Sequence, residues 1–202
     1  MGLALAISLT PLVPTASAAG SQYWYLTNDP SGVNGAEYTM HKNSGSGSSD
    51  VHITALDWIA NGAAATDTNF GTQTWTLTIT YTTGSYGFSV ILGYIDPTTG
   101  EFTGADGGTA IIGAGSPENV QLVVYSDFIV PAGCYLALEF FDYMFEGVTT
   151  IDVTSSPNSP TYLTYPSSSP DYPVPELSTL ILMSSGLVAG TAILVYGNKK
   201  RR

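Results

Sequence analysis

Between residues 73 and 82 the chain reads QTWTLTITYT, in which Trp75, Leu77, Ile79 and Tyr81 alternate with threonines. A period of two built from β-branched and aromatic residues predicts a half-buried strand. Gly84-Ser85 turns the chain, and Phe88, Val90, Leu92 and Tyr94 carry the alternation into a second strand. Asp96-Pro97-Thr98-Thr99-Gly100 supplies turn chemistry, because proline presets φ and glycine takes the positive-φ position. Val120, Leu122 and Val124 predict another strand, and Leu136, Leu138 and Phe140 one more after the Pro131-Ala132-Gly133 turn. Shorter candidates are Tyr23–Thr27, Glu37–His41, Val51–Leu56, Thr109–Ile112 and Thr149–Val153. Away from the two ends nothing repeats at 3.6 residues. The pattern therefore predicts an all-β domain over residues 19–154: an antiparallel β-sandwich, jelly-roll or immunoglobulin-like.

The ends follow other rules. Residues 2–13 are apolar and lead to Ala16-Ser17-Ala18, which has the form of a signal-peptidase site, so residues 1–18 read as a signal peptide, although no Lys or Arg precedes the apolar run. Residues 155–176 are rich in Pro, Ser and Thr. Proline removes backbone donors and fixes φ, which predicts an extended stalk, with Tyr162-Leu163-Thr164 able to add only a short edge strand. Residues 177–197 carry no charge. As a helix they would span roughly 31 Å, matching a bilayer core about 30 Å thick. Residues 198–202 end in Lys199-Lys200-Arg201-Arg202, and basic residues stay cytoplasmic, so the N-terminus lies outside.

Charge sharpens this division. The 202 residues hold sixteen acids and five basic residues. All the acids fall between Asp29 and Glu176, where Lys42 is the one basic residue, leaving fifteen net negative charges ahead of a tail of +4. So acidic a body argues against nucleic acid, which demands a cationic footprint. With Cys134 alone, neither an intrachain disulfide nor a cysteine-rich zinc site can form. The expectation is a membrane-anchored protein of the prokaryotic cell surface.

The tail adds a motif. Val174-Pro175-Glu176-Leu177, directly before the apolar run and its basic end, resembles the sorting tails of the bacterial PEP-CTERM and archaeal PEF-CTERM families. Pro175 and Glu176 match both; Leu177 stands where one family has Pro and the other Phe. The resemblance implies processing near the motif by an exosortase or archaeosortase, a membrane-embedded cysteine transpeptidase that moves the protein to another anchor. Tyr23-Trp24-Tyr25-Leu26-Thr27 resembles strands that open surface β-domains of methanogenic archaea, which implies an archaeal source.

Reactive chemistry is sparse. Glu139, Asp142 and Glu146 gather near one strand end, but a glycosidase needs two carboxylates facing across a sugar. Asp96, Glu101 and Asp106 offer hard oxygens for Ca²⁺, at a spacing unlike that of an EF-hand, and hairpin turns use the same residues. Trp58, Tyr86 and Tyr143 are candidates for stacking on envelope glycans, while Trp75 belongs on a core face. His41 and His52 flank a Gly/Ser-rich loop and read as polar surface residues; Cys134 reads as a small buried hydrophobe. No Walker loop, HExxH or GxSxG is present. The reading is a non-enzymatic surface protein with no cofactor, structural or adhesive in the envelope or matrix. The alternative is a surface-displayed carbohydrate-binding module.

Overall fold

The computed structural model describes residues 22–42, 44–53, 56–83, 88–112, 117–142, 149–154, 158–165 and 172. Signal-peptide, sorting-motif and transmembrane expectations fall outside these residues. Among the described residues no helix is long and apolar enough to cross a membrane.

The described residues are all-β. Their strands are β1 (Gln22–Pro30), β2 (Tyr38–Lys42), β3 (Val51–Ile53), β4 (Leu56–Ala60), β5 (Thr68–Gly71), β6 (Thr74–Ile79), β7 (Tyr81–Thr83), β8 (Phe88–Asp96), β9 (Glu101–Ile112), β10 (Glu118–Val123), β11 (Phe128–Val130), β12 (Tyr135–Asp142), β13 (Thr149–Ile151) and β14 (Tyr162–Tyr165). Nine of them form one sheet in the order β10-β6-β14-β1-β2-β4-β12-β8-β9. The Tyr125 N–H donates to the Asp106 carbonyl at 3.0 Å, tying the end of β10 to β9, so the sheet curls until its two edges nearly meet. Where the sequence suggests two stacked sheets, the core is enclosed mainly by one sheet rolled on itself. Small sheets β11-β5 and β3-β13-β7 complete it. The ladders are antiparallel except β2–β4, which runs parallel with Tyr38 opposite Trp58.

Alternation sets the inside. Trp24, Leu26, Met40, Trp58, Trp75, Leu77, Val90, Leu92, Leu136, Leu138, Phe140 and Leu163 are almost completely buried. The stretch predicted as one strand over 73–82 is divided at Thr80. Its N–H bonds the Thr161 hydroxyl at 3.2 Å, and the chain passes from β6 in the large sheet to β7 in a small one. Strand β9 begins eight residues before the predicted 109–112 segment, because the hairpin at Asp96–Glu101 pairs it with β8 at once. Gly100 closes that hairpin at φ +75.

The expected stalk departs most from prediction. β14 lies inside the large sheet, between β1 and β6, and not at an edge. Tyr172 is buried as well. Its ring stands edge-on to Trp24 at 5.5 Å and stacks on Phe70 at 6.1 Å. Its hydroxyl donates to the Cys134 carbonyl at 3.2 Å and accepts from the Leu136 N–H at 3.1 Å. Burial holds this phenol well above its ordinary pKa. Proline and serine density forecast an extended chain, and β14 is extended; the alternation Leu163, Tyr165 supplies the buried face that seats it.

Tyr172→Ala removes a large buried side chain and is expected to cost about 3–5 kcal/mol. Tyr172→Phe strands one buried N–H and one carbonyl, at about 1–3 kcal/mol. Urea unfolding of residues 19–176 followed by tryptophan fluorescence measures both.

Candidate glycan-binding face

Because Trp24 and Leu26 point into the core, Tyr23 and Tyr25 point outward from β1. Antiparallel pairing sets Tyr162 of β14 opposite Tyr25 and Thr164 opposite Tyr23. The three rings meet on the outer surface, with centroids 6.2 Å apart for Tyr23–Tyr25, 5.6 Å for Tyr23–Tyr162 and 5.6 Å for Tyr25–Tyr162. Tyr23 is 39% exposed and the other two are partly exposed. Partial burial and the neighbouring phenols Tyr162 and Tyr23 raise the Tyr25 pKa.

Hydroxyls and amides flank the rings. Strand β6 sets Thr78 opposite Tyr162 and Thr76 opposite Thr164. β10 follows with Asn119 beside Thr78 and Gln121 beside Thr76. Thr78 donates to the Asn119 side-chain carbonyl at 2.7 Å, and the Gln121 amide donates to the Thr76 hydroxyl at 3.1 Å. These pairs fix the polar groups in place around the rings.

On the other flank, His41 of β2 is the register partner of Tyr25. A groove of about 360 Å³ opens there, lined by Asp29, Ser31, Thr39, His41, Asn61 and Tyr135 among others. The His41 Nε2 lies 3.4 Å from the Asp29 carboxylate and 3.2 Å from the Thr39 hydroxyl, and its Nδ1 is 3.3 Å from the Asn61 amide nitrogen. An amide nitrogen can only donate, so Nδ1 accepts, and in the neutral ring the proton sits on Nε2, facing Asp29.

A separate group of carboxylates crosses three neighbouring chain segments. Asp57 of β4 is opposite Glu139 of β12, and Glu37, just ahead of β2, accepts the Asp57 N–H at 2.7 Å. Asp57 Oδ1 is buried without a hydrogen-bond partner among the described residues. Burial first, then the charges of Glu139 and Glu37, raise the Asp57 pKa from 3.8 to about 7. Burial also raises that of Glu139. Glu37 backbone bonds to Ser31 and Asp57 hold the segment after β1, whose Val33 and Ala36 cover Ile59, Ile95 and Ala137 on the outer face.

The residues singled out from sequence fare differently. Trp58 is fully buried, donates its indole N–H to the Thr27 carbonyl at 2.7 Å and packs on Tyr38 and Phe140, so it presents no face to a sugar. Residues of β4 alternate, and the inward position fell to Trp58. Tyr86 and Tyr143 lie outside the described residues, as do Glu146 and Val174–Leu177. Asp96 caps its own turn by accepting the Thr98 N–H at 2.8 Å, Glu101 is its hairpin partner, and Asp106 lies farther along β9. Among the described residues no three His, Cys, Asp or Glu side chains come together as a metal site, so the Ca²⁺ trio is not assembled. His41 and His52 sit on different sheets, and His52 pairs with the Thr150 hydroxyl at 2.7 Å. Cys134 is buried, and burial raises its thiol pKa.

The fold is thus that of an all-β domain with an aromatic and hydroxyl-rich outer face. No protein-family model and no curated protein matches the chain. Its structure is similar to two crystal structures of a CocE/NonD family hydrolase from Staphylococcus aureus. The TM-scores are 0.52 and 0.48, each at 11% identity over 73% of this chain. In both, the match takes in 36% of the hydrolase chain, so the described fold answers to about a third of that protein.

The raised Asp57 pKa sets a sign for pH dependence. A carboxyl that binds its proton more tightly when folded adds stability at low pH, and this is lost as pH rises from about 4 to about 7. Over that window Asp57→Asn is expected to flatten the pH dependence of the urea midpoint, and to raise the midpoint above pH 7.

Proposed function

We propose that this protein is an exported β-domain, held at a prokaryotic cell surface by its C-terminal tail, whose outer face binds glycans of the envelope or matrix. The observation that carries the glycan reading is the contact of Tyr23, Tyr25 and Tyr162 on one exposed sheet face. A pyranose offers an apolar C–H face and a rim of hydroxyls. Tyrosine meets both, with its ring for the first and its phenol for the second. Thr76, Asn119 and Gln121 beside the rings supply further donors and acceptors. Adhesion by such a face is the structural role expected from the anchor. Display rests on the uncharged run 177–197, its basic end and the Val174–Leu177 motif.

A second reading, hydrolysis, draws on the facing carboxylates Asp57 and Glu139, one of them with its proton held to about pH 7, as a general acid requires. The similar Staphylococcus aureus protein is named a hydrolase, but the likeness covers the fold alone.

Calorimetric titration of residues 19–176 with neutral oligosaccharides tests the main reading. Binding is expected, and Tyr25→Ala with Tyr162→Ala should weaken it at least tenfold, or about 1.4 kcal/mol. Hydrolysis of the same sugars, abolished by Asp57→Asn, would favour the second reading.

Intact mass of protein purified from its native membranes tests the display. A chain ending within Val174–Leu177 is expected, with Glu176→Ala leaving the chain uncut through Arg202. An uncut wild-type chain would remove the sorting step.

A further inference from the structure

The groove beside Tyr25 continues the tyrosine face, because His41 and Tyr25 are register partners on adjacent strands. Three features bear on what it can hold. The first is size. About 360 Å³ lies at the small end of ligand sites, with room for one sugar residue and its substituent. The second is how Asp29 is held. Its side chain is 59% exposed, and among the described residues its carboxylate meets only the His41 ring, at 3.4 Å. Asn61 on Nδ1 directs the neutral imidazole's proton toward Asp29, leaving the carboxylate aimed and open to a second donor. The third is the surrounding field. Ahead of the tail the chain carries fifteen net negative charges, with Lys42 its one basic residue. Such a field attracts cations and repels uronates, sulfates and phosphates.

We propose that this groove is a specificity subsite for a sugar bearing a protonated amine, with Asp29 as the ion-pair partner and Tyr25 stacking the ring of that sugar or its neighbour. The inference rests on the glycan reading of the tyrosine face. The ammonium donates to Asp29 in a charge-assisted hydrogen bond, about twice as strong as a neutral one. The Asn61 side-chain carbonyl remains for the sugar's hydroxyls.

The test is calorimetric titration of residues 19–176 with three probes: a glucosamine trimer, its fully N-acetylated counterpart and a galacturonic acid trimer. At about pH 7 much of the amine is charged. The glucosamine trimer should bind about tenfold or more tightly than the acetylated one, and the uronate trimer should not bind. Raised salt should narrow the preference. Asp29→Asn should erase the preference and leave binding of the acetylated trimer unchanged, whereas Tyr25→Ala should weaken both. Equal affinity for amine and acetylated trimers, or a preference that survives Asp29→Asn, would overturn the subsite while leaving the glycan face standing. Failure of every trimer to bind would overturn both. The far-ultraviolet circular dichroism and urea midpoint of Asp29→Asn, expected to match wild type because the side chain is largely exposed, separate lost recognition from lost fold.

Discussion

Strand β14 joins what would otherwise be two sheets. Four residues, 162–165, pair with β1 on one side and β6 on the other. Without them β10 and β6 would be held to the run β1-β2-β4-β12-β8-β9 only through the tie from Tyr125 to Asp106 of β9, and the rolled sheet would open between β6 and β1. The same strand delivers Leu163 and Tyr165 to the core and turns Tyr162 outward toward Tyr25. Core and candidate site thus hang on one late piece of sequence. Tyr172 secures it, packing among Trp24 and Phe70 and satisfying two backbone groups at the start of β12.

The aromatic nucleus shows why that arrangement is stable. Phe70, Trp75, Phe128, Tyr165 and Tyr172 bring together β5, β6, β11, β14 and the segment beyond. Edge-on and tilted contacts near 5 Å suit the ring quadrupoles. Large rings from distant parts of the chain replace the disulfides that a single cysteine cannot provide.

The strands with clean alternation were readable directly: β6, β8, β10 and β12 follow their apolar residues closely. β14 was not, since proline and serine density on either side outweighed a four-residue alternation. The parallel pairing of β2 with β4 carries no local signature, because pairing direction depends on where the connecting chain travels. Early β9 is polar and glycine-rich and looks like a loop until the hairpin commits it to β8. The same logic governs the site. Tyr23 and Tyr25 were not singled out from the sequence; in the fold they alternate with buried Trp24 and Leu26, and only the register against β14 brings Tyr162 to them. Trp58 drew notice as a large aromatic, yet a single aromatic in a short strand does not reveal which way it faces. The Asp57–Glu139 pair lies eighty-odd residues apart in sequence, and only the β4–β12 ladder joins them.

The pairing of Gln22 with Tyr165 places the first described residue and the end of β14 at the same pole of the sheet. A pull on the chain beyond Tyr172 is met first by the seat of that side chain against Trp24 and Phe70, and only then by the two ladders of β14. Tyr172 takes the tension first, as a knot behind a hole. A domain so built shields its last strand from load until Tyr172 has left the core.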